Sequence, residues 1–271
     1  MGRSSNVLSS FYFKLGEEIS FMIFKTLCLK VRERKKALLL KFEARDVVGW
    51  ERKLSKLAKD RVIMDLENVK KRLEKKDETV YYVYKLGAFV DKLKKISEKT
   101  GLYFDVTHLK GGTLSGKTCG EAICTYGHQH EKMRGELYYV LKNNCLLELA
   151  DLKTLETFVV SLKEGDYIFI HPRFSHRLIS LWRDCIVLGV VPKDAGHNYE
   201  IIKGKGFPFH VFIDVKRRKI KFVHNKKFPG ASLVIDEISP KRRKFESLLR
   251  NKRVVKILKN PKVGKKLYYF G

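Results

Sequence analysis

The sequence predicts a mainly β protein, a closed barrel or a double sheet of the jelly-roll kind. Ten short apolar segments follow one another between residues 102 and 224, with little helical pattern among them. Turn residues such as Gly111-Gly112 and Asn143-Asn144 separate these segments. The chain has 271 residues, of which 44% are apolar, so a sizeable core is expected and wholesale disorder is excluded.

The chain before these segments alternates between helical and strand patterns. Residues 50–76 carry apolar side chains at helical spacing among many charges, which predicts one or two surface helices. Thr79 to Leu86 is rich in β-forming residues and predicts a strand, and Phe89 to Ile96 predicts a short helix closed by Gly101. Residues 1–36 have a mixed pattern, and we expect them to form an N-terminal extension.

The ten predicted strands share β-forming residues and short length. They are Leu102–Leu109, Ala122–Tyr126, Glu136–Leu141, Cys145–Leu149, Thr157–Leu162, Tyr167–His171, Arg177–Leu181, Cys185–Val191, His210–Val215 and Ile220–His224. We therefore expect the β domain to end near residue 228.

Residues 229–271 change in character and are expected to be a basic C-terminal tail. Positions 241–271 hold twelve Lys or Arg residues and one acid, Glu246. Ser239-Pro240 could start a helix with Phe245, Leu248 and Leu249 on one face. Such a charge run is usually a solvated face. Nucleic-acid binding through phosphates is an alternative, although no recognised binding motif accompanies it.

The whole chain carries a formal charge of +27, which favours anionic partners such as sugar phosphates, nucleic acid or acidic lipid. Its five cysteines show no CxxC spacing, so neither a disulfide framework nor a cysteine-ligated zinc site is expected. Charges interrupt every apolar run near the N-terminus, so neither a membrane span nor a signal peptide is predicted. We expect a soluble, cytoplasmic protein.

Histidines and one glutamate form the chemical pattern of the β region. His128 and His130 have the spacing at which two side chains of a strand share a face, and Glu136 opens the strand that follows. His176 comes about 40 residues later, after a proline turn. Three imidazoles and a carboxylate that converge inside a barrel predict a divalent transition-metal site with open positions for substrate.

Single histidines in a β protein are more often ordinary core or surface residues, so only the joint pattern predicts the metal site. Glu131 is a competing ligand, but Glu136 fits better because Leu-Tyr-Tyr-Val follows it. His171 is expected to be structural, with a position near the metal as the alternative. His108, His210 and His224 fit no site.

Four stretches, residues 76–84, 125–138, 165–177 and 192–207, carry a resemblance to a known family. The second and third resemble the two sequence motifs of the cupins. The four together resemble the archaeal cupin-type glucose-6-phosphate isomerases (phosphoglucose isomerases), and the fourth, with Asp194-Ala195-Gly196-His197-Asn198-Tyr199, separates that family from cupins at large. The resemblance covers residues 37–228 and implies a cupin barrel there.

The resemblance also implies roles for individual residues. The implied metal ligands are His128, His130, Glu136 and His176. The implied contacts to phosphate and sugar are Tyr81, Thr107, Thr125, Gly127 and Tyr138. Glu136, His197 and Tyr199 are the implied catalytic residues, and His197 and Tyr199 would close the pocket. The implied cofactor is a divalent metal, usually Fe²⁺, with Zn²⁺, Mn²⁺ or Ni²⁺ as alternatives. The implied assembly is a homodimer.

These residues suit an aldose–ketose isomerase that interconverts glucose 6-phosphate and fructose 6-phosphate. A metal could polarise the carbonyl and stabilise an enediolate, and the resemblance suggests Glu136 as the base. A hydride shift between C1 and C2 is the competing mechanism. No Walker-type phosphate loop occurs, so hydroxyl groups and backbone N–H would bind the phosphate.

Several positions depart from the family pattern and leave other functions open. Val191 stands where a tyrosine is usual, His171 replaces a proline, and Ser180 replaces an asparagine. Gly111 to Gly116 is an apparent insertion that could touch phosphate, although a hairpin loop is the better interpretation. The alternatives are a cupin acting on another sugar phosphate, such as mannose 6-phosphate, and a non-catalytic cupin that binds phosphorylated ligands or nucleic acid.

Overall fold

The computed structural model describes residues 32–34, 37–42, 45–48, 50–86, 91–242 and 252–261. Its four described helices are α1 (Leu54–Lys59), α2 (Leu66–Leu73), α3 (Asp91–Thr100) and α4 (Lys252–Lys259). None of these four is long and apolar enough to cross a membrane. The first three strands, β1 (Arg32–Arg34), β2 (Ala37–Phe42) and β3 (Arg45–Val48), pair antiparallel into a small separate sheet.

A seven-stranded sheet forms one wall of the barrel. Its strands along the chain are β4 (Trp50–Lys53), β5 (Thr79–Lys85), β6 (Leu102–Leu109), β8 (Glu136–Lys142), β11 (Asp166–Ile170), β13 (Cys185–Pro192) and β17 (Lys241–Arg242). Their order in space is β17-β11-β8-β13-β6-β5-β4, with antiparallel neighbours throughout. This order places β6, β8 and β13 side by side at the centre of the wall.

Two smaller sheets form the opposite wall. The four-stranded sheet contains β9 (Cys145–Asp151), β10 (Glu156–Leu162), β12 (Ser175–Ser180) and β16 (Ser232–Ile235), and the three-stranded sheet contains β7 (Cys119–Glu121), β14 (Phe209–Asp214) and β15 (Lys219–His224). Residues 122–128 run between these sheets and join them through backbone hydrogen bonds from Ala122 to Val211 and from Ser180 to Ile123. The two sheets therefore act as one wall.

The main core lies between the two walls. Side chains of β5, β6, β8 and β13 meet those of β9, β10, β12 and β14 there, as Val140, Leu147 and Val211 illustrate. The alternate residues of the seven-stranded sheet, such as Tyr139 and Leu188, point outward, where Leu93 of α3 and Leu258 of α4 cover them. Every residue of β13 is buried because both faces of that strand are covered, which explains its unbroken apolar run.

The predicted mainly β barrel is confirmed, and most of the predicted elements form. Two helices, α1 and α2, occupy residues 50–76, and β5 and α3 follow as expected. The predicted strand Ala122–Tyr126 is wrong, because these residues form only isolated bridges, among them Cys124 with Ile179. The strands β1 to β4, β7, β16 and β17 were not expected.

The region beyond residue 228 is more regular than its composition indicates. β16 pairs parallel with β10, and β17 pairs antiparallel with β11, so both walls gain an edge strand. A helix starting at Ser239-Pro240 is wrong, because Lys241–Arg242 is extended. Phe245, Leu248 and Leu249, and the N-terminal segment 1–31, lie outside the described residues. The domain boundary at residue 228 stays a prediction.

Candidate active site

Three histidines and a glutamate meet at one end of the barrel. His128 and His130 lie in the segment before β8, Glu136 is the first residue of β8, and His176 is the second residue of β12. Two backbone hydrogen bonds, of 3.1 and 2.9 Å, pair His128 with His176. His128 and His176 are therefore neighbours in one wall, and Glu136 reaches them from the seven-stranded sheet.

The side-chain atoms of this cluster converge on one carboxylate oxygen. Glu136 Oε2 lies 3.0 Å from Nε2 of His176, 3.3 Å from Nε2 of His130 and 3.9 Å from Nε2 of His128. One ligand atom from each of the four residues lies within 4.8 Å of the others. Three imidazole nitrogens and one carboxylate oxygen suit a divalent transition metal, so the four residues can hold such an ion.

Two nitrogens of the cluster lack the partners that buried polar atoms normally have. Nε2 of His128 is buried without a hydrogen bond to any described residue, and Nε2 of His130 is buried with only its 3.3 Å approach to Oε2 of Glu136. Nδ1 of His130 lies 2.6 Å from the carbonyl oxygen of Arg134, which accepts its proton. This contact directs the Nε2 lone pair of His130 towards Glu136, as expected of a metal-binding histidine.

The electrostatics favour the metal-binding forms of Glu136 and His128 but not of His130. Burial alone would lower the pKa of His130, but its contact with Glu136 raises the pKa, so a metal ion there competes with a proton. Burial alone would raise the pKa of Glu136, but its contacts with His130 and His176 lower the pKa well below the usual range. Burial lowers the pKa of His128, and the neighbouring His176 lowers it further. At neutral pH the carboxylate is therefore ionised and His128 is neutral, which are the forms that bind metal.

A cavity of about 470 Å³ opens beside the cluster. The residues that line it are Trp50, Tyr81, Val83, Lys85, Asp105, Thr107, Thr125, Gly127, His128, Glu136, Tyr138, Gly189, His197 and Tyr199. All five positions expected to contact phosphate and sugar are in this set. His130 and His176 lie behind the wall of the cavity.

Two hydroxyl groups at one end of the cavity are free to donate. Tyr81 Oη accepts hydrogen bonds from Arg52 Nε at 3.2 Å and from the Tyr126 backbone N–H at 3.3 Å. Thr125 Oγ1 accepts one from the Leu178 backbone N–H at 3.0 Å. Because these oxygens already accept, their own protons can point to a ligand, and an anion is the complementary partner.

Gly127 allows a close approach in the same region. Its φ is +81°, and a Cβ atom there would lie 2.4 Å from the ring of Phe207. Both the backbone angle and the space therefore require glycine. Gly127 lines the cavity, and the side chain that it lacks would point at Phe207, which does not line it.

His197 and Tyr199 reach the site through a backbone pairing. Gln129 and Asn198 exchange two hydrogen bonds, of 3.2 and 2.8 Å, which hold residues 197–199 against the ligand segment. The ring of His197 lies 4.4 Å from the ring of His128, centroid to centroid, and stacks on Tyr199 at 6.0 Å. Burial lowers the pKa of His197, so its imidazole is neutral at neutral pH.

The sequence analysis missed a row of three cavity residues on neighbouring strands, Lys85, Asp105 and Gly189. Lys85 is the cross-strand partner of Asp105, and Asp105 is the partner of Gly189. Gly189 in turn pairs with Tyr138, which the resemblance had implied, and all four line the cavity side of the seven-stranded sheet. Period-two alternation from Tyr81 and Thr107 reaches Lys85 and Asp105, so that signal could have found them.

Asp105 and Gly189 shape this part of the cavity. Oδ1 of Asp105 is buried without a hydrogen bond to any described residue, and burial raises the pKa of Asp105 to about 6 despite the opposing charge of Lys85. A Cβ atom at Gly189 would lie 2.9 Å from Oε1 of Glu136. The bare backbone of Gly189 therefore keeps the face of Glu136 open.

The remaining predicted alternatives lie away from the cluster. Glu131 is exposed, and the loop Gly111 to Gly116 does not line the cavity. His171 is buried in the turn after β11, where its Nδ1 accepts the Arg173 backbone N–H at 3.1 Å. His210 forms a buried ion pair of 2.6 Å with Glu121.

Comparisons with known proteins point to one family. A family model described as glucose-6-phosphate isomerase (GPI) matches residues 52–226. The glucose-6-phosphate isomerase of Thermococcus gammatolerans is 31% identical over 182 residues, which is 66% of this chain and 88% of that protein. Those of Pyrococcus furiosus and Thermococcus litoralis are 30% and 33% identical and are covered over 83% and 70% of their lengths.

Solved structures give a more distant likeness. An oxalate decarboxylase structure aligns with a TM-score of 0.32 and 18% identity, over 42% of this chain and 26% of that one. A mutant of the Bacillus subtilis oxalate decarboxylase gives a TM-score of 0.32 and 19% identity. The chain spans about a quarter of the length of these proteins.

Proposed function

The chain belongs to the glucose-6-phosphate isomerase family, and from that premise we propose that it is a metal-dependent aldose–ketose isomerase. Its reaction would interconvert glucose 6-phosphate and fructose 6-phosphate by moving hydrogen between C1 and C2. The observation that carries the proposal is the four-residue cluster, with the unpartnered Nε2 of His128, beside a cavity of about 470 Å³. A cavity of this size suits a small phosphorylated sugar.

The two ends of the cavity suit the two ends of such a substrate. Tyr81 and Thr125 can donate hydroxyl protons to a phosphate, and the guanidinium of Arg52 stands behind Tyr81. Thr107 and Tyr138 line the wall between that end and Glu136. The positive field of a chain with a charge of +27 would attract the dianion.

Protons can be moved by Glu136 and by the neighbouring His197–Tyr199 pair. A bound divalent cation supplies a Lewis acid for the carbonyl of the sugar. Oε2 of Glu136 faces the histidines, whereas Oε1 faces the open space over Gly189, where the carbons of a sugar could lie. We assign Glu136 to the proton on carbon, and the neutral imidazole of His197 to the hydroxyl proton.

Asp105 adds a contact that suits a polyhydroxylated substrate. Its unpartnered Oδ1 can accept a hydrogen bond from a sugar hydroxyl group. The phosphate would then lie at the Tyr81 end and the hydroxyl-bearing carbons near Asp105. This orientation keeps the carboxylate of Asp105 away from the dianion.

The metal, assembly and location are inferred from the family resemblance. We expect Fe²⁺ as the native ion, with Zn²⁺, Mn²⁺ or Ni²⁺ as substitutes, since three nitrogens and one oxygen accept all four. We also expect a homodimer in the cytoplasm. Sedimentation of the purified protein measures the assembly directly.

The main test is metal-dependent turnover. Purified protein is stripped with a chelator, reloaded separately with each of the four ions, and assayed with fructose 6-phosphate by oxidation of the glucose 6-phosphate formed. His128→Ala should abolish turnover, whereas His224→Ala, at an exposed position, should retain it. Tight metal binding with no turnover would refute the isomerase for this substrate and favour a non-catalytic binding protein.

Two further measurements refine the reaction. Turnover in heavy water introduces deuterium at C1 or C2 if a residue carries the proton, and introduces none if a hydride shifts directly between the carbons. Relative values of kcat/KM for fructose 6-phosphate and mannose 6-phosphate establish which sugar the cavity selects. A preference for mannose 6-phosphate would support the metal-dependent reaction but assign it to a different substrate.

A further inference from the structure

The C-terminal helix contacts the segment that carries the metal-ligating residues. The backbone N–H of Gly135 donates to the carbonyl oxygen of Leu258 at 2.8 Å, and Nη1 of Arg134 donates to the carbonyl oxygen of Lys259 at 2.9 Å. Both acceptors are in the last turn of α4, where carbonyl groups have no partner within the helix. Arg134 and Gly135 stand between His130 and Glu136.

Apolar packing holds α4 in this position. Val254 and Leu258 are 4% and 0% exposed and pack on the outer face of the seven-stranded sheet with Leu137 and Val190. Leu137 and Val190 are themselves cross-strand partners in β8 and β13. The helix therefore rests on the strand that Glu136 begins, and its carbonyl groups are presented to the preceding residues.

Arg134 connects three parts of the site at once. Its carbonyl oxygen accepts the Nδ1 proton of His130 at 2.6 Å, and its side chain donates to the Lys259 carbonyl. The same guanidinium donates to the carboxylate of Asp194, with Nη2 2.9 Å from Oδ2. Asp194 opens the stretch that leads to His197.

We propose that Arg134 is a positioning residue, which fixes the metal-binding geometry of His130 by tying it to α4 and to the His197 stretch. The proposal rests on the metal site of the proposed function. The family match covers residues 52–226, so α4 lies outside the matched part of the chain. The basic C-terminal region thus has a role inside the active site, through its backbone carbonyls rather than its charges.

The test compares four variants of the full chain. Arg134→Ala removes all the side-chain contacts, Arg134→Lys keeps the charge near Asp194, and Leu258→Ala loosens α4 without changing Arg134. Lys256→Ala is the matched control, because it is exposed on the same helix. Zn²⁺ affinity is measured by competition with a chromogenic chelator, and amide hydrogen exchange over residues 130–136 is measured in the metal-free protein.

We expect Arg134→Ala and Leu258→Ala to weaken Zn²⁺ binding by about tenfold or more, as loss of an outer partner of a metal ligand does. Exchange over residues 130–136 should become faster in both, Arg134→Lys should restore part of the affinity, and Lys256→Ala should resemble the wild type. Unchanged Zn²⁺ affinity and unchanged exchange in Arg134→Ala would overturn the proposal, even if the variant melts earlier.

The same experiment separates this inference from the proposed function. Failure of the wild-type protein to bind Zn²⁺, Fe²⁺, Mn²⁺ or Ni²⁺ would refute the metal site. Exchange over residues 130–136 in the metal-free protein would still decide whether Arg134 and α4 hold the segment. In that case faster exchange in Arg134→Ala would support the positioning role, and unchanged exchange would refute it.

Discussion

Two buried groups of histidine and carboxylate lie in the same barrel and differ in how fully their polar atoms are paired. In the active-site cluster, Nε2 of His128 has no hydrogen-bond partner among the described residues, Nε2 of His130 has only the Glu136 carboxylate at 3.3 Å, and a cavity lies beside His128 and Glu136. In the second group, both nitrogens of His210 have partners. Nδ1 lies 2.6 Å from Glu121, and Nε2 lies 3.4 Å from the side-chain amide of Asn225.

Both carboxylate oxygens of the second group also have hydrogen-bond partners. Oε1 of Glu121 faces His210, while Oε2 accepts the backbone N–H groups of Met64 and Asp65 at 2.7 and 2.8 Å. Burial alone would raise the pKa of Glu121, but the His210 contact outweighs it and lowers the pKa. The comparison teaches that unpaired nitrogens beside a cavity, rather than buried histidines as such, distinguish a ligand site from a structural pair.

The largest expected effect is on turnover when a cluster histidine is removed. His130→Ala should lower kcat/KM by about a thousandfold or more, because the metal loses a ligand. The free energy of unfolding of the metal-free protein should fall by about 1–3 kcal/mol, because the Arg134 carbonyl loses its 2.6 Å hydrogen bond from Nδ1 and Glu136 loses its 3.3 Å contact with Nε2. Steady-state kinetics and urea unfolding measure the two quantities. A large loss of metal-free stability would show that the two groups are alike.

The His210–Glu121 pair should show the opposite result, a large loss of stability with little effect on turnover. His210→Ala should lower the free energy of unfolding by about 3–5 kcal/mol, because it leaves the Glu121 charge buried without its counterpart and Oε1 without a hydrogen bond. The kcat of the molecules that remain folded should be unchanged, since His210 does not line the cavity. His210→Asn, which can place an amide donor near Nδ1, should recover part of the stability. Loss of kcat at full stability would contradict a structural role.

Asp105 offers a smaller test of whether unpaired atoms mark the site. Its pKa is raised to about 6, so the folded protein binds more protons than the unfolded chain between about pH 4 and 6. Stability is therefore lost as pH rises through this window. The variant Asp105→Asn, which cannot ionise, should have a free energy of unfolding higher by roughly 2 kcal/mol at pH 7. The same variant should raise KM for fructose 6-phosphate. The gain in the free energy of unfolding should vanish near pH 3.5, where Asp105 is protonated in both states. A gain that persists there would have a cause other than the ionisation of Asp105.

The pH profile gives the smallest expected difference. The pKa of His197 is lowered below its ordinary 6.5, because burial disfavours the charged form. The acidic fall of kcat/KM should therefore have its midpoint below pH 6.5, as protonation removes the acceptor of the hydroxyl proton. His197→Gln should lower kcat and change that acidic limb. An unaltered limb in this variant would assign it to another group.

Much of the fold follows from the sequence because alternation and turn residues are local signals. The β segments and the Gly127–His130 motif are of this kind. The parallel pairing of β16 with β10 is not, because an edge strand is chosen by what it meets in space. The role of Arg134 could not be predicted from the sequence either, because its partner Lys259 lies 125 residues away in the chain.

The site could be predicted in its ligands but not in its full lining. The four cluster residues come from short motifs, whereas Lys85 and Asp105 meet only through the register of β5 and β6. One departure from the family pattern also has little local effect, since the Ser180 hydroxyl is satisfied by donating to the Lys110 carbonyl oxygen at 2.5 Å. Short motifs therefore predict the candidate metal ligands, whereas the residues that line the cavity around them depend on strand register.

The bare backbone at Gly189 leaves room for the carboxylate of Glu136. A single methyl group there would project to within 2.9 Å of Oε1 of Glu136, on the side of the carboxylate that faces the cavity. Because Oε1 and Oε2 belong to one carboxylate, the atom that faces the histidine nitrogens would be displaced with it. The position of Oε2 among the histidines therefore depends on the absence of one carbon atom from the neighbouring strand.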